Sequence, residues 1–456
     1  MLAEIAFAVR SGKVSAVEIV EESLRRIEKL DGDLNSVVSL RADEALAEAA
    51  EQRIDGTLAG VPLLVKDLED VKGMRTTFGS KLHADAPTAT EDDIICARLQ
   101  AAGAIVIGKT NTPEFAFMGY TNNLLFGATR NPWNLEKSPG GSSGGAGAAL
   151  MGGLSPLATS SDGGGSVRIP ASLSGLVGYK PTFGAYPRSR TPAWMTFSMN
   201  GTLGRSIDDV VLEAAAVVGW VPGDMHGNGH PPPLDPVRPA KVIATPSFKE
   251  FVDAPIRDAF ERTCAVISSD IGLPLETADK VFDTDPSPAI NWLVIAAAEL
   301  AESLNPFEDR EGEMDPGLQL ALAMGKNVTT IDYIRAQRLR YAASVQLDDL
   351  LGNDTVLVVP TANALAWPAT GPMPTNIDGH DVSPVDGTNT MEINYTGHPA
   401  VSVPMGLDPN GVPMGFQIIA PRHRDDLALG LAADLEAAQP WPTVADGYEP
   451  FPVPEV

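Results

Sequence analysis

"GGSSGGAGAALMGGLSPLATSSDGGGSVRIPAS", Gly140 to Ser172, decides how the rest of the chain is read. Ten glycines fall between Gly140 and Ser166, in two clusters separated by "AGAALMGGLSPLATS", a small-residue helix followed by a strand. A flexible tether holds no folded segment and joins stretches of different composition. Neither condition is met here. A P-loop needs Lys and Ser/Thr after its glycines, and here Ser142-Ser143 follow. A dinucleotide fingerprint needs a strand before it, and "NPWNLEKSP" (Asn131–Pro139) is no strand. Nucleophilic catalysis remains. The pattern G-x-S-x-G occurs at Gly140–Gly144 and again at Gly141–Gly145. It opens an esterase reading, with Ser142 or Ser143 on an α/β-hydrolase elbow and His398 as its base. That elbow also requires a preceding strand, and Lys137-Ser138-Pro139 stand there instead.

The composition is that of a folded protein: 44% hydrophobic and 20% charged residues. A net charge of −26 argues against nucleic acid and against anionic membrane surfaces as partners. Cys96 and Cys264 form no disulfide framework and no CxxC. The N-terminus carries no signal-type pattern, and no run of 18 apolar residues exists, so a cytoplasmic location is expected. The histidines form no metal-binding motif, so neither metal nor cofactor is expected. Nothing in the sequence chooses between monomer and homodimer.

Outward from the glycine clusters, strands alternate with helices. "VPLLVK" (Val61–Lys66) and "AIVIGK" (Ala104–Lys109) read as short buried strands, with a helix over Asp92–Ala102 between them. Further strands are expected at Lys241–Thr245, Thr355–Pro360, Ala400–Pro404 and Gly415–Ala420. Helices are expected at Ala42–Arg53, Ser206–Val218, Ile331–Leu351 and Arg424–Ala438. Ser15 and Glu18 form a capping box that opens an N-terminal helix. Two long loops, Pro222–Pro239 and Thr361–Gly387, punctuate the pattern, and loops of the second kind often wall substrate sites. The expectation is an α/β protein with helices on both faces of the sheet.

The segment Gly140–Gly184 resembles the central signature of the amidase signature family of serine hydrolases, nearly throughout. Flanking blocks match as well: "LAGVPLLVKD" (Leu58–Asp67), "GKTNTPEFA" (Gly108–Ala116), "NPWN" (Asn131–Asn134) and "NYTGHPAVSVPMG" (Asn394–Gly406). The resemblance runs from about residue 12 to 435 and fades between about 220 and 345. It implies one amidase domain over 1–456, with N-terminal helices to about 55, a signature core over about 56–220, a substrate-shaping region over about 221–345 and a C-terminal core over about 346–440. It also implies a central mixed, mostly parallel, twisted sheet. Members use a Ser–Ser–Lys triad. The nucleophile falls on Ser166, the bridging serine, which follows a cis peptide bond, on Ser142, and the base on Lys66.

The chemistry is coherent with those residues. A lysine titrates near ~10.4 in water and serves as a base at neutral pH only when buried among apolar neighbours, which "VPLLVK" supplies. Gly163, Gly164 and Gly165 lack Cβ atoms, so their N–H groups can turn to one point and form an oxyanion hole, worth ~3–4 kcal/mol per donor. Asp162 and Arg168 bracket that loop and are expected to pair, with Ser143 in a supporting place. Gly140, Gly141, Met118, Tyr120 and Leu124 before the signature, and Trp194, Met195 and Phe197 after it, are the expected substrate-contacting residues, with Ile290, Trp292 and Trp367 behind them. The family's substrates include aliphatic and aryl amides, nylon oligomers and some carbamates, and the small-molecule partner is expected to be an amide, ester or carbamate. The "DGGGS" and "RIPAS" variants resemble the aryl acylamidase and nylon-oligomer branch. The glutamine-hydrolysing subunit of transfer-RNA amidotransferase stays open as an alternative, although Ile169 stands where that subunit carries glutamine.

Overall fold

Alternation along Thr355–Pro360 sets the layers of the molecule. Val356 and Val358 pack with Val401, Val403, Phe416 and Ile418 against Phe260, Leu427 and Leu431. Leu357 and Val359 face the other way, onto Leu347, Leu351 and Ile393. Successive side chains of a strand point to opposite faces. The helices Ala254–Ser269 and Asp425–Ala438 therefore cover one face, and Thr330–Leu351 with Met391–Thr396 the other. The computed structural model describes residues 1–51, 56–188, 191 and 193–453. The expected helix over Ala42–Arg53 runs Ala42–Glu51, and its last two residues lie outside the described ones.

The strands form two principal sheets. In the smaller, the order is Val37–Leu40, Ile105–Thr110, Pro62–Lys66, Leu157–Ala158. The larger runs Ser160–Asp162, Met199–Gly204, Val177–Lys180, Ala400–Leu407, Pro413–Ile419, Thr355–Pro360, Lys241–Ala244, Leu275–Thr277. The architecture is α/β with mixed sheets, as expected, but the larger sheet is not mostly parallel. Only Thr355–Pro360 with Lys241–Ala244, and Lys241–Ala244 with Leu275–Thr277, run parallel there; the other ladders are antiparallel. One of these ladders is a tight hairpin. Asp408 accepts from Asn410 and Val412 N–H at 2.7 and 2.9 Å and folds Ala400–Leu407 straight back on Pro413–Ile419, and a short hairpin permits only antiparallel pairing.

The two sheets meet where the chemistry will lie. Leu157–Ala158 ends the small sheet, Ser160 begins the large one, and Thr159 between them donates its N–H to Leu64 O at 2.9 Å. Lys66, at the carboxyl end of its strand, thus lies beside the start of Ser160–Asp162. The helix Gly144–Met151 packs in the same corner with every residue buried. Its close fit demands glycine: a Cβ on Gly145 would stand 2.5 Å from Asn111 N and O and 2.9 Å from Ser36 O, all backbone. Among the described residues no helix is long and apolar enough to cross a membrane.

Gly145→Ala should lower stability by at least roughly 1–3 kcal/mol, because backbone on both sides cannot yield to the added methyl. Urea unfolding read by tryptophan fluorescence measures this.

Candidate active site

Lys66 is fully buried. Its Nζ lies 2.8 Å from Ser142 Oγ, 2.8 Å from Ser143 Oγ and 3.0 Å from Ser161 Oγ. Loss of hydration disfavours the charged amine and pulls Lys66 down to about 7, against the attraction of Glu69 and Asp162. Its backbone is fixed as well. Lys66 N–H donates to Thr159 Oγ1 at 2.8 Å, and Thr159 Oγ1 donates to Glu69 Oε2 at 2.5 Å. The Glu69 carboxyl is raised by burial and takes the Asn200 amide on its other oxygen.

The peptide bond Gly141–Ser142 is cis. Gly141 is wedged between strands of backbone: a Cβ there would stand 2.6 Å from both Met118 O and Tyr120 N. Gly140, with φ of 87°, accepts from Thr121 Oγ1 at 2.9 Å. These two glycines shape the turn that presents Ser142 to Lys66.

The second glycine loop is organised by one buried ion pair. Asp162 Oδ1 accepts from Arg168 Nη2 at 2.9 Å and Oδ2 from Arg168 Nε at 3.0 Å, with both side chains fully buried. Burial alone would raise Asp162; the Arg168 charge and its hydrogen bonds outweigh this and hold the carboxyl at about 2. The same carboxylate takes the N–H groups of Gly165 at 2.7 Å and Val167 at 3.2 Å. This corrects one expectation: the Gly165 N–H is already engaged. The N–H groups of Gly163, Gly164 and Ser166 have no acceptor among the described residues.

Ser142, Ser161, Gly163 and Ser166 share the wall of a cavity of about 270 Å³. Its apolar wall is Leu68, Phe78, Phe115, Trp194 and Met199. Phe78 and Phe115 stack at 5.8 Å and 15°, and Phe115 N–H donates to Phe78 O at 2.8 Å. Both have positive φ, 56° and 48°, unusual for bulky residues and characteristic of sites where the backbone is held by its surroundings.

Of the expected substrate-contacting side chains, the cavity wall takes only Trp194. Phe197 is buried between Trp292 and Tyr395, at ring distances of 6.0 and 6.1 Å, and is core. Met195 is exposed in a neighbouring depression, its N–H on Glu299 at 2.8 Å. Leu124 is exposed to solvent. Tyr120 packs with Ile169 and Trp367, and Met118 lies against Gly317. Ile290 is exposed, and the Thr361–Gly387 loop gives the cavity no residue. The elbow reading also falls. No strand leads directly into Ser142, and His398 is buried elsewhere, with Nε2 3.0 Å from Asp348 Oδ1. Several residues escaped the sequence reading. Ser161 lies in the three-residue strand Ser160–Asp162, Glu69 and Phe78 in a bend and a turn, and Phe115 in the 3-10 turn Glu114–Ala116, none of them long enough to show a period.

An α/β scaffold that presses two glycine loops around a buried lysine and several serine hydroxyls defines a hydrolase. The model of the amidase family matches residues 18–429, and the chain belongs to that family: it is an amide hydrolase of the amidase signature type. It is 32% identical to an acylamidase of Rhodococcus erythropolis, over 96% of this chain and 95% of that one. Among solved structures it is similar to a bacterial aryl acylamidase, with a TM-score of 0.90, 28% identity and 96% of each chain covered. It is also similar to 6-aminohexanoate cyclic dimer hydrolase, with a TM-score of 0.88, 28% identity and coverage of 96% and 97%.

Asp162→Asn should destabilise the fold by roughly 3–5 kcal/mol, since it leaves the Arg168 guanidinium buried without its counter-charge. Chemical denaturation of the variant against wild type gives the value.

Proposed function

We propose that the chain hydrolyses acylated aromatic amines, with aryl esters and small N-aryl carbamates as further substrates, through an acyl- or carbamoyl-enzyme on Ser166. The observation that carries this reading is the fully buried Lys66 amine 2.8 Å from Ser142 Oγ, behind the wall of a cavity that Ser142 and Ser166 both line. Neutral Lys66 accepts the Ser142 proton as Ser142 accepts that of Ser166, and Ser166 Oγ attacks the carbonyl carbon. The oxygen of the tetrahedral intermediate points at the free N–H groups of Gly163, Gly164 and Ser166. Collapse breaks the C–N bond of an amide, or the C–O bond of an ester or carbamate, and the proton returns through Ser142 to the departing amine or alcohol. Water then attacks the acyl group, with Lys66 and Ser142 again taking the proton, and frees Ser166.

Support for an aromatic substrate comes from the wall. Phe78, Phe115 and Trp194 offer ring faces and edges to a planar group, and a cavity of about 270 Å³ suits a compact molecule. An ester or carbamate passes through the same oxyanion, so the same donors serve it. A carbamate carbonyl is the weaker electrophile and leans harder on them. The similarity to acylamidases points the same way.

A fluorophosphonate should label Ser166, and Ser166→Ala should lose essentially all activity; peptide mass spectrometry locates the adduct. Label on Ser142 or Ser143 would refute the assignment. Aniline release from an anilide should exceed turnover of a short aliphatic amide, and the reverse order would remove the aromatic specificity.

The rate should also depend on pH through Lys66. The neutral amine is the active form. With its titration lowered to about 7, kcat/KM should climb about tenfold per pH unit below that value and level off above it. A profile flat from pH 5 to 8 would exclude Lys66 as the base.

A further inference from the structure

The geometry points to Trp292 as a positioning residue for the oxyanion-binding loop, acting through the Gly163 carbonyl. This rests on the proposed acyl-enzyme reading and deepens it. In a trans peptide the C=O and N–H point in opposite directions, so whatever grips a carbonyl aims the next N–H. Each carbonyl from Asp162 to Gly165 is gripped. Asp162 O accepts from Asn394 Nδ2 at 3.1 Å and aims the Gly163 N–H. Gly163 O accepts from Trp292 Nε1 at 2.8 Å and aims the Gly164 N–H. Gly164 O accepts from Thr390 Oγ1 at 2.7 Å, turning the Gly165 N–H onto Asp162. Gly165 O accepts from Ile169 N at 2.7 Å and aims the Ser166 N–H.

Glycine supplies no stiffness of its own, so the outside grips set where these donors stand. Trp292 is the grip that comes from the region where family resemblance fades, on the helix Pro288–Ser303. It does more than donate one hydrogen bond. A Cβ on Gly164 would meet the Trp292 ring at 2.6 Å, so the indole also presses on the loop from behind. The ring is buried, packs on Trp194 and Phe197, and is absent from the cavity wall. Trp292 therefore reaches the oxyanion donors through Gly163 and Gly164, and the cavity wall through Trp194.

Trp292→Phe keeps an aromatic ring and removes the donor. We expect kcat on an anilide to fall roughly tenfold, the weight of one hydrogen bond to a preorganised donor, while KM stays within about twofold. A trifluoromethyl ketone reports the same loss without turnover. Ser166 Oγ adds to its carbonyl carbon, the serine proton passes through Ser142 to Lys66, and the ketone oxygen becomes an oxyanion facing the loop. Its inhibition constant should rise by the same factor as kcat falls. Should Trp292→Phe not fold, 3-benzothienylalanine at position 292 replaces the N–H with sulfur in the same shape. Wild-type kcat and inhibitor affinity in a folded variant overturn the inference, as does a common loss in kcat, KM and melting temperature, which is packing alone. Ser166→Ala, assayed in parallel, separates the two readings: activity surviving there overturns the acyl-enzyme, whereas its loss beside undiminished Trp292 variants overturns this inference only.

Discussion

Taking an ammonium out of water costs several kcal/mol, and Lys66 is taken out of water completely. Much of the surrounding structure can be understood as the set of contacts that make this burial tolerable. The strand Pro62–Lys66 is central to its sheet and buried throughout, so the backbone leading to the amine is fixed on both edges. The amine is left with hydroxyls for company, and the carboxylates that attract it, Glu69 and Asp162, are committed to other hydrogen bonds. Three hydroxyls around one nitrogen suit either protonation state. An ammonium donates to all three, whereas a neutral amine donates to two and accepts from one. The same cage therefore holds the group before and after a proton moves.

The two glycine loops solve a second constraint, which is rigidity without side chains. Gly140 and Gly141 are held by neighbouring backbone, at distances no Cβ could survive. Gly163 to Gly165 are instead held by side chains from remote segments: Asn394, Trp292, Thr390 and, at the root, the Asp162–Arg168 pair. Arg168 extends this to Gln417 in the middle of the large sheet. Glycine loops usually move, and here the orientation of each peptide plane is tied to the core. Asp162 pays twice for this, since its oxygens fix the loop and also consume the Gly165 N–H.

How far the sequence could be read depended on the range of the interaction. The buried strands Pro62–Lys66, Ile105–Thr110 and Thr355–Pro360 announce themselves as apolar runs, and the N-terminal capping box is local and complete. The signature segment carries Lys66's partners Ser142 and Ser143 to the right place. By contrast, Val177–Lys180 and Met199–Gly204 contain glycine, make no apolar run and were not expected, yet they link the glycine loop's strand to the centre of the large sheet. Without them the larger sheet reads as more parallel than it is. Trp292 meets Gly163 across 129 residues, and no pattern within a window of sequence encodes such a contact.

The cavity wall was the least legible part, for a physical reason. Aromatic residues near a signature are as often core as wall: Phe197 is core, and Tyr120 packs, partly buried, against Ile169 and Trp367. Two aromatic residues of the wall that sequence reading missed, Phe78 and Phe115, lie on irregular backbone with positive φ, where neither helical nor strand periodicity applies. Their left-handed turns are secured by the Phe115 N–H to Phe78 O bond and by Phe78 N–H on Asp67 O at 3.1 Å. Asp67 follows Lys66 directly and is itself paired with the buried Lys109. The aromatic wall and the buried amine thus hang from adjacent residues of one strand end. A change of wall that shifted Asp67 would disturb Lys66 as well, whereas substitution at Trp194, carried on a separate segment, leaves that strand end intact. The Phe78–Phe115 side of the cavity is therefore tied to the buried amine, and the Trp194 side, through Gly163 and Trp292, to the oxyanion loop.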